Sequence, residues 1–286
     1  MPLFETDNKS GERKRRIFFD PISFFIHLSV FKNLIYQFAL REVYSRYRGS
    51  LLGIAWTFLQ PLFMLCVYTF VFSVVFNAKW GKSHAGGNSE FALVLFVGII
   101  TFNIIGDVIS SAPTLILSNV NLVKKVIFPL EILPVVKLIG VLVNAFVGLL
   151  IALLGILLVW NEIHLTALLL PFAWLPVIFF ALGCCYFISA LGVFLRDVQP
   201  TVGVLVTVMF FLSPIFYPLE AVPEAYRIFC TMNPIAIYVE TSRSLLLWGM
   251  IPDLTVYAYG FAISLVVFIF GLAFFLKAKN TFADVI

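Results

Sequence analysis

Charged residues are scarce in this chain. Asp, Glu, Lys and Arg make up only 12% of its 286 residues, whereas soluble domains carry about 25%. Hydrophobic residues reach 62%, which is more than a single core can hold, so the outer surface must be apolar as well. Lipid is the solvent that permits such a surface, and the composition therefore excludes a large soluble domain and predicts an α-helical membrane protein.

Residues in patterns typical of catalysis or metal binding are also few. The three histidines lie in no metal-binding motif, and the four cysteines imply neither a disulfide framework nor a metal site; they are His27, His84, His164, Cys66, Cys184, Cys185 and Cys230. No nucleophile elbow and no zinc-protease motif is present. The sequence thus predicts no catalytic residue, no metal and no cofactor in this chain, which is not expected to be an enzyme.

A phosphate-binding loop is missing too. Gly81-Lys82-Ser83 resembles the end of such a loop, but Phe76 stands where its first glycine is required. The tripeptide also falls in a connection that the charge pattern assigns to the non-cytoplasmic side. We therefore expect the chain not to bind ATP by itself and to need a partner for any driving force.

Long apolar stretches are what the chain does contain. A spanning helix needs about 20 mostly apolar residues, and six stretches qualify: 50–76, 91–117, 132–160, 168–195, 198–217 and 256–276. Lys and Arg concentrate before the first stretch and in the even-numbered connections, so the positive-inside rule predicts that both termini are cytoplasmic. The predicted fold is an all-α membrane protein with six transmembrane helices.

Two segments do not fit a simple alternation of spans and loops. Residues 31–48 lack Pro and Gly and have a split apolar stripe, which favours a helix in the cytoplasmic interface over an ordinary surface helix. Residues 218–253 are too apolar for a solvated loop and are interrupted by prolines. They predict a re-entrant outer hairpin broken at Asn233-Pro234, in which Glu240 and Arg243 can pair.

Ionisable residues within the spans are rare and are predicted to lie near the headgroups. Asp107, Glu131 and Lys137 fall toward the cytoplasmic ends of spans two and three. An ion-driven carrier would place acidic residues at mid-membrane, so their positions weaken that hypothesis without excluding it. Trp80, Trp160 and Trp248 lie near span ends, as an interfacial aromatic belt predicts.

Several motifs resemble those of a known family. Residues 46–61, RYRGSLLGIAWTFLQP, closely resemble the start of span one in the permeases of polysaccharide-export ABC transporters, which export O-antigen, capsular polysaccharide or teichoic acid. Further matches follow in order: KKVIFP at 124–129, FLRDV at 194–198, SPIFY at 213–217, and Asn233-Pro234. The resemblance covers roughly residues 30–280, and the ordered set is more specific than any one motif.

The resemblance implies an architecture and partners. Family members have six spans, an interface helix and a re-entrant outer hairpin, and two copies pair to form a channel. Each copy docks one cytoplasmic ATPase subunit, which holds ATP and magnesium. The residues matched to the ATPase contact are Arg41, Asn121, Lys124, Lys125 and Phe128. The substrate class is a glycan on a lipid carrier, and Arg46 and Arg48 lie where they would meet the carrier phosphate, with headgroup binding as the alternative.

Aromatic side chains offer a candidate path for such a polymer, since their faces stack on the C–H faces of sugars without locking them. The candidates in spans one and five are Trp56, Phe63, Tyr68, Phe210, Phe211 and Tyr217. Core packing is the alternative for each of them.

The expected function is therefore that of a permease in the bacterial inner membrane, moving a lipid-linked polysaccharide with energy from a separate ATPase. A permease for a drug or small lipid, and an ion-coupled carrier or channel, are the alternatives; no nucleic-acid partner is predicted. The expected organisation is a basic cytoplasmic tail (1–30), the interface helix (31–48), the six-span domain (50–276) with a coupling loop (118–131) and the outer hairpin (218–253), and a cytoplasmic C-terminus (277–286).

Overall fold

The computed structural model describes residues 21–47, 52–76, 80, 88–124 and 128–286. All regular secondary structure in these ranges is helical, which confirms the predicted all-α class for this part of the chain. Arg48, Lys125 and the Gly81-Lys82-Ser83 tripeptide lie outside the described residues.

Thirteen α-helices follow one another in the described ranges. Their bounds are α1 Pro21–Val30, α2 Lys32–Tyr47, α3 Trp56–Tyr68, α4 Asn88–Leu115, α5 Val120–Val123, α6 Ile132–Trp160, α7 Leu170–Ala173, α8 Leu175–Phe194, α9 Val198–Leu212, α10 Glu224–Met232, α11 Pro234–Leu246, α12 Leu254–Ala278 and α13 Phe282–Val285. Helix α3 contains Pro61 and continues as a π-helical segment, Thr69–Val75. Helix α1 gives the end of the predicted tail a regular structure, with Phe24 buried against Tyr186 and Phe268.

Among the described residues, four helical segments are long and apolar enough to cross a bilayer: Glu90–Leu115, Ile132–Trp160, Leu165–Phe194 and Leu254–Val285. The helices in the other two predicted spans, α3 and α9, are apolar but shorter. Helix α9 ends at Leu212, before the predicted boundary at 217, because Ser213 is extended (φ −88°, ψ 143°). Pro214 disfavours the helical conformation in the residue before it, which explains this end.

Helices α8 and α12 cross at glycines. A Cβ atom on Gly183 would lie 2.6 Å from the backbone N and Cα of Phe268, and one on Gly271 would overlap the carbonyl of Gly183. Association of helices within lipid depends on such close backbone packing. The lack of a side chain at these two positions therefore sets the distance between α8 and α12.

Two polar interactions join the residue before α6 to α8 and to the segment that follows α12. The Tyr186 hydroxyl donates to the carbonyl oxygen of Glu131 at 2.7 Å, and Lys279 Nζ lies 3.1 Å from Glu131 Oε2. Because Glu131 is buried, the negative charge of its carboxylate is compensated by Lys279, which follows α12, rather than by lipid headgroups alone.

Candidate functional site

A cavity of about 260 Å³ lies between α3, α4 and α6, with a residue of α9 at its edge. Its lining contains six polar side chains with amide, hydroxyl or carboxyl groups: Thr57, Gln60, Tyr68, Asn103, Asp107 and Asn144. Among the lining residues that the structure describes, Asp107 is the only Asp, Glu, Lys or Arg. The cavity can therefore accept and donate several hydrogen bonds inside an otherwise apolar helical bundle.

Helix α4 exposes a polar stripe along one side. From Glu90 to Ile116, the side chains that are exposed are Asn103, Asp107 and Ser110, and every other residue in this stretch is buried or half-buried. The spacing of these three puts them on one face of the helix. The exposed residues in the middle of α6 are instead apolar, including Phe146, Leu150 and Leu154.

The contrast between α4 and α6 indicates what each surface contacts. Exposed apolar residues suit lipid, whereas polar residues of a spanning helix face other protein or a hydrated cavity. Asp107 lies about 12 Å along the helix from its end at Leu115, at 1.5 Å per residue. The stripe thus gives α4 an exposed polar surface that includes Asp107.

Thr57 adds a buried hydroxyl to this cavity. The residue is 6% exposed, and its Oγ1 has no hydrogen-bond partner among the described residues. Leaving a buried hydroxyl unsatisfied costs about 1–3 kcal/mol. This orphan group marks the cavity as a place that suits a polar ligand.

The predicted aromatic path is divided between three places. Tyr68 and Phe210 line the polar cavity, and the Phe210 ring lies 4.9 Å from Phe102 on α4. Trp56 and Phe63 are exposed on α3 away from the cavity.

Phe211 and Tyr217 lie near the end of α9. Phe211 stacks on Phe216 at 5.7 Å, and the Tyr217 hydroxyl donates to the carbonyl oxygen of Phe211 at 3.2 Å. The structure therefore brings Tyr68 and Phe210, but not the other four, together with the polar groups. Sequence analysis did not select those polar groups, because their amides and hydroxyls carry no motif.

Helix α2 contacts both α6 and the residues that precede α6. Lys137 Nζ lies 2.8 Å from Glu42 Oε1, and both side chains are mostly buried, at 18% and 29% exposed. A Cβ atom on Gly140 would lie 2.8 Å from Glu42 Cγ, so the glycine allows this approach. The Phe38 and Phe128 rings pack at 5.5 Å. Lys137 is thus an ion-pair partner of α2, which its expected headgroup position did not suggest.

The residues matched to the ATPase contact are mostly exposed. Arg41, Asn121 and Lys124 are exposed, whereas Phe128 is half-buried against α2. Arg46 lies in α2, but its side chain is outside the described part of the structure, as are Arg48 and Lys125.

The segment predicted to form the outer hairpin contains α10 and α11, with the break at Asn233-Pro234. Asn233 Oδ1 accepts a bond from the backbone N–H of Ile235 at 3.0 Å and thereby caps α11. Its Nδ2 donates to Ser213 Oγ at 3.1 Å, which connects the hairpin to the end of α9.

Arg243 is the largest fully buried side chain of the described structure. The predicted pair with Glu240 is confirmed, at 2.9 Å. The guanidinium also donates to the carbonyl oxygens of Val94 (3.0 Å), Pro214 (2.8 Å) and Ile215 (2.8 Å). These bonds join α11 to α4 and to the end of α9.

The guanidinium of Arg243 also lies over an aromatic ring. Its Cζ is 4.7 Å from the centroid of Trp80, and Trp80 is only 5% exposed. The prediction that Trp80 belongs to an interfacial belt is therefore wrong, because the ring packs under a buried cation. Trp160 and Trp248 are half-buried near their helix ends.

Comparison with known proteins agrees with this helical architecture. The model of the ABC-2 type transporter family matches residues 33–247. The O-antigen export system permease protein RfbA of Myxococcus xanthus is 28% identical over 258 residues, covering 89% of this chain and 95% of the relative. RfbA of Klebsiella pneumoniae is 24% identical, covering 89% and 97%, and the polysialic acid transport protein KpsM of Escherichia coli is 24% identical, covering 82% and 90%. Since the family model spans most of the chain, this protein belongs to the ABC-2 type transporter membrane family.

Proposed function

We propose that this chain is the permease of an ABC exporter that moves a lipid-linked, O-antigen-like polysaccharide across the bacterial inner membrane. The polar stripe on α4 carries the proposal, because it gives a spanning helix a surface suited to a hydrated, hydroxyl-rich substrate. The similar proteins from Myxococcus and Klebsiella are named as O-antigen export permeases, which supports the same substrate class.

The proposed topology has six spans with both termini in the cytoplasm. Helix α3 and its π-helical continuation rise about 30 Å from Trp56 to Val75, enough for a bilayer core. Helix α9 rises only about 22 Å over its 15 residues. The hairpin α10–α11 completes the outer half at this position by re-entering from outside, and its buried Arg243 is supported there by backbone carbonyls and Glu240.

Two copies of the chain form the channel in this proposal. The exposed side of α3 and its π-helical continuation carries large residues, including Phe58, Phe63 and Phe70. The exposed side of α9 is likewise apolar, including Val204 and Leu205. A second copy would cover these faces and enclose the α4 stripes of both chains, which a single bundle leaves exposed.

Energy enters from a cytoplasmic ATPase subunit on each copy, where ATP and magnesium bind. Exposed Arg41, Asn121 and Lys124 supply the proposed contact surface. Arg46 and Arg48 are proposed to meet the phosphate of the lipid carrier, since guanidinium groups bind phosphate with two parallel hydrogen bonds.

The test is reconstitution of the purified chain in lipid nanodiscs, alone and with its ATPase. We expect no ATP hydrolysis by the chain alone and hydrolysis by the complex. In cells, export of polysaccharide should require both subunits. ATP turnover by the isolated chain would contradict the proposal, and transport driven by an ion gradient without the ATPase would favour a carrier instead.

The ion pair between Glu42 and Lys137 is expected to transmit movement from α2 to α6. Lys137→Met removes a partly buried pair worth about 1 kcal/mol, so the complex should still fold and hydrolyse ATP while exporting several-fold less polymer. Export and ATP hydrolysis are measured in the same preparation. The double variant Glu42→Lys with Lys137→Glu exchanges the two charges and should recover part of the export. Export by this double variant that is no higher than export by either single variant would refute the role of the pair in transmitting movement.

A further inference from the structure

We propose that residues 279–286, the C-terminal segment, relay movement of the loop that contacts the ATPase to helices α8 and α9. The link between loop and segment is the ion pair of Glu131 with Lys279, which makes both of them positioning residues for transport. This inference rests on the proposed function and adds to it a second route of coupling, separate from the pair of Glu42 with Lys137.

The C-terminal segment is packed onto the ends of two long helices. A 3₁₀ turn, Lys279–Thr281, leads directly from α12 into α13. Phe282 of α13 is fully buried, and its ring centroid lies 5.6 Å from that of Phe275 in α12 and 6.0 Å from that of Phe194, the last residue of α8. One buried ring therefore holds the segment against both helices.

Lys279 joins this segment to the end of the loop 118–131. Exposed Asn121 and Lys124 of that loop belong to the surface proposed to contact the ATPase. Its last residue is Glu131, whose Oε2 lies 3.1 Å from Lys279 Nζ, with side chains 6% and 30% exposed. The attraction between opposite charges is stronger where water is largely excluded, so a displacement of the loop end pulls on the C-terminal segment.

The end of α8 leads almost directly into α9. Only three residues, 195–197, separate Phe194 from Val198, where α9 begins. Within α9, which the structure describes throughout, only Val198 and Val202 are buried. A helix that is buried only near its start is positioned chiefly there, so a shift of Phe194 is expected to move α9. In the proposed dimer, this helix lies beside the channel.

A purely stabilising role of the ion pair is the competing explanation. Removing Lys279 alone cannot separate the two, because a buried carboxylate left without its partner is destabilising whatever its role. Removing both charges can: Glu131→Gln with Lys279→Met, the neutral double variant, leaves no unpaired charge from this pair. It also keeps the bond from the Tyr186 hydroxyl, because that bond is accepted by the backbone carbonyl of residue 131.

The experiment compares transport with ATP hydrolysis in inverted membrane vesicles that contain the chain, its ATPase and the lipid-linked polymer. We expect the neutral double variant to hydrolyse ATP as the unmodified complex does, but to move several-fold less polymer for each ATP. Lys279→Arg keeps a cation within reach of Glu131 and should retain most of the transport. Lys277→Met removes an exposed lysine two residues away and should change neither quantity.

Cysteine labelling on α9 gives a second measurement that requires no polymer. Thr207 is exposed on α9, and Thr207→Cys is introduced with Cys66→Ser, which removes an exposed native thiol. The rate of labelling by N-ethylmaleimide is compared between the nucleotide-free complex and the complex trapped with ATP and vanadate. We expect the two rates to differ several-fold, and this difference to shrink when the neutral double variant is added.

The outcomes distinguish the relay from the function on which it rests. Unmodified transport per ATP in the neutral double variant, with an unchanged labelling difference, would overturn the relay and leave the exporter function intact. A loss of thermal stability in the double variant as large as that of Lys279→Met alone would assign the pair a stabilising role and also overturn the relay. Absence of polymer transport by the unmodified complex while it hydrolyses ATP would instead refute the exporter function, and the relay with it.

Discussion

Replacing Arg243 with methionine is expected to detach the outer hairpin from the bundle and abolish export. The change leaves three buried carbonyl oxygens and Glu240 without the donor that now joins them. Removing one partner from a buried charged network costs about 3–5 kcal/mol, which would lower Tm by roughly 10 °C. Thermal stability of the purified chain in detergent and export in cells are the measurements.

A second arginine of the same hairpin is the matched control. Arg227 bonds to the carbonyl oxygens of Val222 (2.8 Å) and Glu220 (2.9 Å), but its side chain is 41% exposed. Water can replace these bonds, so Arg227→Met should change Tm by only a few degrees. Arg243→Lys should resemble Arg243→Met, because an ammonium group cannot reproduce the fork that reaches carbonyls on two segments. Equal stability of the Arg243→Met and Arg227→Met variants would contradict this account.

Substituting alanine for Gly271 is expected to cause the second large loss. The new Cβ would overlap the carbonyl of Gly183, and a backbone carbonyl in a helix cannot turn aside as a side chain does. Helices α8 and α12 must separate along a contact that includes buried Phe268. Overpacking in a core costs about 1–3 kcal/mol, and the upper end applies because the clash is with backbone. The loss is measured as a fall in thermal stability and in the yield of monodisperse protein.

Gly203 provides the same substitution without the clash. A Cβ atom there would have nothing within 4 Å, and alanine is favoured over glycine in a helix by about 1 kcal/mol. Gly203→Ala should therefore leave Tm unchanged or raise it slightly. A comparable loss from both substitutions would mean that the α8–α12 contact is not what limits stability.

Local features of the outer hairpin were predictable because they depend on nearby residues. Asn233-Pro234 ends one helix and caps the next, and both effects act within a few residues. Glu240 and Arg243 are one helical turn apart, so helical geometry alone brings them together. The contacts of Arg243 with Val94, Pro214 and Ile215 join segments that are distant in sequence, and no local sequence pattern predicts them.

The candidate site was likewise predictable from the sequence only in part. Hydropathy located the helix that carries Asp107, but one carboxyl group in an apolar run does not reveal which face of the bundle it occupies. The aromatic residues of spans one and five were selected by type, and tertiary packing placed only Tyr68 and Phe210 beside the polar cavity. Sequence analysis missed Thr57, Gln60 and Asn144 as cavity residues, because amide and hydroxyl side chains indicate a site only when several helices bring them together.

The sequence by itself determined that lipid surrounds the protein, that its fold is helical and that it carries few motifs for catalysis or metal binding. Composition and hydrophobic run length fix these properties, since every buried backbone group in lipid must bond within its own helix. The tertiary structure alone decided that Lys137 pairs with Glu42, that Glu131 pairs with Lys279, and that α4 turns a polar stripe outward. Each of these depends on which helices are neighbours, and in lipid that choice rests on close backbone contact and on paired polar groups rather than on hydrophobicity.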